Sequence, residues 1–160
     1  MSKIGRASRN ASLTRVETLG NGTSTAVGSE KVIASAESGE LYLIDHNHNS
    51  ALTITLPAMK AGAYFKFIWK TAMADNGATV VFNSATNTAG DFAGTIIEAT
   101  AHATDGAVAT ETAASHDILT IGSANDTSIG SYLECVCDGS KWYWSGAITA
   151  AAVGNAVFST

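Results

Sequence analysis

The sequence has one proline and two cysteines in 160 residues, and no apolar run approaches the roughly 18–20 residues of a membrane helix. Charge is scarce: 14% of residues, against about 25% in an ordinary soluble domain. The net charge of −5 argues against nucleic-acid binding by the body of the protein. The opening residues MSKIGRASRNAS are basic, but no apolar stretch follows. They do not read as a secretory signal, so folding in a cytosol with both thiols reduced is expected. Catalytic signatures are also missing. GNGTST at 20–25 lacks the third glycine of a dinucleotide loop and the Gly-Lys-Ser/Thr of a P-loop. There is no Gly-x-Ser-x-Gly elbow and no His-Glu-x-x-His. No cofactor is therefore expected.

What the chain does have is small residues. Ala, Gly, Ser and Thr total 78, and 28 of these are Ala. The large apolar residues come in short bursts. The length suits one domain that buries its core without staples. So few charges suggest that part of the surface is covered, most simply by self-association.

Composition divides the chain at about residue 28. Residues 1–16 carry Lys3, Arg6, Arg9 and Arg15 and no acid. The other 144 residues hold five basic and all 14 acidic residues. From Gly20 to Ser29 the sequence GNGTSTAVGS has linker composition. Residues 1–28 thus read as an extended basic arm and linker, and residues 29–160 as the folded domain.

The body reads as strands with one buried face. Tyr42 and Ile44 alternate with Leu41, Leu43 and Asp45. Leu52, Ile54 and Leu56 share a face; so do Phe65, Phe67 and Trp69, with Lys66 and Lys70 opposite. Further strands are expected at 79–82, 94–98, 117–121, 131–137 and 141–145. Turn signals at Asn76-Gly77, Asp105-Gly106 and Asp138-Gly139 separate them. Residues 99–114 have helix-compatible composition, but no apolar stripe of helical period supports a helix there. The expected fold is all-β: a single antiparallel β-sandwich, jelly-roll-like or barrel-like domain of about 8–10 short strands behind the N-terminal arm.

Four groups of residues deserve chemical scrutiny. His46 and His48 are spaced to share a strand face beside Asp45, a spacing that suits metal ligands, but DHNHNS reads as a strand entering a turn. Cys135 and Cys137 share a face at roughly 6.6–6.8 Å, the limit for a disulfide, and read as buried free thiols. Trp142, Tyr143 and Trp144 have the makings of a sugar-stacking patch, yet alternation assigns the tryptophans to the core side. The acids are scattered, mostly beside Gly or Asn, as in turns. Two carboxylates meeting in the fold would make a polysaccharide hydrolase, a third class of reading.

Two segments carry a resemblance. LTITLPAMKAGAYFKFI (52–68) joins an alternating strand through Leu-Pro and a Gly turn to an aromatic strand. GSYLECVCDGSKWYWSG (130–146) joins a strand through Asp-Gly to a Trp-containing strand ending in Gly. Together they resemble β-domains of tailed-bacteriophage virion proteins, among them capsid decoration proteins and tail-fibre domains, over about residues 38–147. Cys135 and Cys137 stand where aliphatic residues would be expected. The resemblance implies an all-β fold, a homotrimer, and a structural or adhesive role without catalysis. The resulting expectation is a non-enzymatic decoration, or cement, protein on the outer surface of a phage capsid. It would be made in the host cytoplasm and have the major capsid protein as partner, without nucleic acid, membrane or metal. Lys3, Arg6, Arg9 and Arg15 would anchor it. The alternative is a tail-fibre or adhesin module that binds host cell-surface carbohydrate.

Overall fold

The computed structural model describes residues 15–22, 29–74, 77–100, 108–122 and 127–160. Twelve strands form two sheets, and a short 3-10 turn at Ser35–Glu37 is the helical element among these residues. The seven-stranded sheet has the order β1 (Val16–Gly22), β3 (Leu41–His46), β5 (Tyr64–Trp69), β10 (Tyr132–Cys137), β11 (Trp142–Ala150), β7 (Phe92–Thr100), β8 (Val108–His116). The five-stranded sheet has the order β12 (Ala156–Ser159), β9 (Ile118–Gly122), β6 (Thr79–Asn83), β4 (Ala51–Thr55), β2 (Ser29–Val32).

Both sheets are mixed, which corrects the antiparallel expectation, and they do not close into a barrel. Through β6 the chain alternates between the sheets, so strands two apart become parallel neighbours. β1, β3 and β5 pair in parallel in one sheet, and β2, β4 and β6 do so in the other. Val16 sits against Leu41 and Leu41 against Lys66, so the chain advances one strand position at an equal step each time. This is a winding in coils. Parallel strands normally need helical crossovers; here the return strand of each coil crosses in the opposite sheet.

The alternating strands bury the faces that their patterns indicate. Tyr42 and Ile44, Leu52 and Ile54, and Phe65, Phe67 and Trp69 are all buried. The seven-stranded sheet supplies most of the rings, and Phe82 of β6 reaches them from the other sheet. Phe82 lies 4.8 Å from Phe67 and 5.0 Å from Trp144, both edge-on, the arrangement that ring quadrupoles favour. Trp142 and Trp144 both belong to this core.

Four of the twelve strands were not foreseen: β1, β2, β8 and β12. β1 lies inside the segment that composition assigns to the arm. Its side chains and backbone nevertheless belong to the sheet, with Leu19 buried. The Ala-rich stretch 99–114 contributes to the strands β7 and β8, which pair with each other. β12 is held by a buried carboxylate. Glu98 accepts backbone N–H groups from Gly154 (2.7 Å), Asn155 (2.8 Å) and Ala156 (3.1 Å).

Candidate functional site

Alternation that buries one face of β5, β10 and β11 turns the other outward, and that outward face is unusually apolar. Strand register arranges it in three rows. Tyr64, Val136 and Tyr143 lie side by side; next come Lys66, Glu134 and Ser145; then Ile68, Tyr132 and Ala147. β10 is the central strand of the seven, yet Val136 is 46% exposed and Tyr132 39%. Three of the four tyrosines of the chain stand on this face. Ile97 of β7 extends the third row and is also exposed.

The charges on this face pair with one another. Lys66 Nζ donates to Glu134 Oε1 at 2.7 Å and lies 5.2 Å from the centroid of the Tyr132 ring. The Glu134 bond raises the Lys66 pKa, outweighing the opposing effect of burial. Lys70 Nζ donates to Asp45 Oδ2 at 2.7 Å. The Lys70 and Thr71 hydrogen bonds hold the Asp45 carboxyl below its usual range, against burial.

A second cluster lies where β1, β2 and the 3-10 turn meet. Glu17, Glu37 and Glu40 bring carboxylate oxygens within 4.8 Å of one another. One cation among them, Lys31, donates to Glu17 and Glu37 at 2.8 Å each. Burial disfavours the Lys31 charge, but the two carboxylates outweigh it and raise its pKa. The ammonium also lies 5.6 Å from the centroid of the Tyr42 ring. This arrangement ties the first coil together.

Of the four arm residues singled out in the sequence, Lys3, Arg6 and Arg9 lie outside the described residues. Arg15 opens β1: its carbonyl accepts the Leu41 N–H at 2.9 Å, and its exposed guanidinium lies 3.2 Å from Glu40. His46 is buried and His48 half-buried. The His46 ring donates to the Ser50 carbonyl (3.0 Å), and the His48 ring bonds the Ser50 hydroxyl (3.2 Å). Both histidines thereby fasten the β3–β4 turn. Cys135 and Cys137 are free and buried, and burial pushes the Cys135 thiol well up. Of the Trp142–Trp144 patch, Tyr143 alone faces outward, donating to Asp138 at 3.0 Å. Tyr64, Tyr132 and Val136 were missed as surface residues. Their signal was present: the outward positions of three strands carry Tyr, Val and Ile where polar residues are usual.

Among the described residues, no helix is long and apolar enough to cross a membrane. Comparison with known proteins gives no match to a family model, a curated protein or a solved structure.

Proposed function

We propose that the protein is a structural component of a phage particle: a decoration, or cement, protein with a β-sandwich body, bound as a homotrimer to the outside of the capsid. The observation that carries this reading is the division of charge along the chain. Four of nine basic residues fall in the first 16, ahead of a body with a net charge of −9. The arm joins that body at Arg15, immediately before edge strand β1. Lys3, Arg6, Arg9 and Arg15 bind an acidic surface of the major capsid protein, and the body bridges neighbouring subunits. A ligand that binds the assembled shell and not its free subunits stabilises the shell by mass action.

The test is co-sedimentation with capsids that lack the protein. The full chain binds saturably. Removing residues 1–14, a cut that spares β1, weakens binding while the body still folds. Added salt weakens binding of the full chain, because exposed charge pairs are screened over about 8–10 Å at physiological ionic strength. Equal affinity of the shortened chain refutes the role of the arm.

A second reading, an adhesin for cell-surface carbohydrate, draws on the exposed Tyr64, Tyr132 and Tyr143, whose rings offer stacking surfaces. It predicts binding to host cells in the absence of capsids.

A further inference from the structure

We infer that Glu17, Glu37, Glu40 and Tyr42 form a calcium site at the β1–β2 end of the two sheets, with the Lys31 ammonium as a built-in competitor for the same oxygens. The inference does not depend on capsid attachment.

Four segments converge there. Glu17 lies on edge strand β1 and Lys31 on edge strand β2. Glu37 ends the 3-10 turn, and Glu40 immediately precedes β3. Tyr42 of β3 is the register partner of Glu17. The three carboxylates bring oxygens within 4.8 Å of one another. Oxygens that share one calcium ion at about 2.3–2.6 Å stand at most about 4.6–5.2 Å apart, twice the bond length. The carboxylates are therefore already at the spacing of a ligand shell. The Ala34 N–H donates to Glu37 Oε2 at 2.5 Å and holds that carboxylate in place.

Two buried oxygens make this more than a group of acids. Tyr42 is 0% exposed and Glu40 5%, and the Tyr42 hydroxyl and Glu40 Oε2 have no hydrogen-bond partner. The hydroxyl is aimed into the cluster. It stands near Glu40 without bonding it, and burial, followed by the charges of Glu37, Glu40 and Glu17, raises its pKa. Lys31 serves neither atom, because its hydrogen bonds go to Glu17 and Glu37. A metal ion that collects oxygens from all four residues gives both a partner.

Charge and donor type select the ion. Three carboxylates face two cations, Lys31 and the outlying Arg15, and the group is left at net −1. Exchanging the ammonium for a divalent cation, with Arg15 kept, brings it to zero. All the donors are oxygens, which hard cations take, with none of the His or Cys that zinc favours. Magnesium demands a near-ideal octahedron, whereas calcium accepts irregular shells built from separate segments. Lys31 can leave: it stands on an edge strand, and its side chain is 20% exposed.

The experiment titrates calcium chloride into the chelator-stripped full chain by calorimetry and follows thermal unfolding with and without the ion. Wild type binds one calcium ion per chain at about 10⁻⁴–10⁻³ M, the weak end of calcium sites, because the ammonium must be displaced. Its unfolding temperature rises with calcium concentration. Lys31→Met removes the competitor and binds at least about tenfold more tightly, and calcium restores the stability lost with the ion pairs. Glu37→Gln binds at least about tenfold more weakly. Glu134→Gln, in the ion pair on the outward sheet face, binds like wild type. Should Lys31→Met fail to fold without calcium, its refolding on calcium addition supports the site, and its failure to refold overturns it. Absence of saturable binding up to about 10 mM, beyond the weakest class of sites, overturns the inference. So does binding that is indifferent to both Lys31→Met and Glu37→Gln.

Discussion

Asp91 shows how single residues settle the loops of this molecule. Its carboxylate is buried and accepts hydrogen bonds from the Ser84 and Thr86 hydroxyls and the Thr88 N–H. Burial alone would raise its pKa; the hydrogen bonds outweigh burial and leave it lowered. A carboxylate of this kind contributes stability above its unfolded pKa of about 3.8, and that stability is lost as pH falls through the lower folded value. Asp91→Asn should therefore cost about 1–3 kcal/mol at neutral pH. In urea unfolding, the gap from wild type should shrink below about pH 3.8. A gap independent of pH would contradict this account. The thiols belong to the same scale. Cys135 and Cys137 act as small apolar core residues, so replacing both with Ala should keep the fold at a cost of about 1–2 kcal/mol. Thiol titration of native wild type should find neither group reactive, and denaturant should release both. A disulfide between them in native protein would refute this.

At the scale of elements, period-2 alternation made the strands with large apolar residues legible, and it identified the core face of each. It said nothing about strand direction. A half-buried strand has the same pattern whether its neighbours are parallel or antiparallel, so the coiled path through β1–β6 had no signature in Leu52–Leu56 or Phe65–Trp69. β2 and β12 escaped notice because each has only four residues. β8 escaped because VATETAASH has one large apolar residue. The outward face was readable in principle, because Tyr64, Tyr132 and Val136 alternate with the core positions of their strands. The junction of β7 and β11 yields a sharp prediction. Gly94 has φ +127°, and a Cβ there would lie 2.0 Å from the Trp144 carbonyl oxygen. Neither backbone can give way without breaking the parallel pairing that sets Trp144 beside Phe92. Gly94→Ala should destabilise the fold by about 2–4 kcal/mol. Thermal unfolding checks this, and a change within about 0.5 kcal/mol, ordinary for surface positions, would show that the junction relaxes.

At the scale of the whole molecule, the proposed capsid role rests on the division of charge between the first 16 residues and the rest of the chain. In that proposal the basic arm binds a partner of opposite charge. Three arms held together in the proposed homotrimer would engage three sites at once, so that weak single contacts give strong attachment where their spacing matches. Stabilisation of the assembled shell is the central claim, and heating reconstituted particles tests it most directly. Capsids lacking the protein are loaded to increasing occupancy, and shell rupture is followed with temperature. The account predicts a rupture temperature that rises with occupancy and levels off at saturation. Saturated and bare capsids that rupture at the same temperature would contradict it.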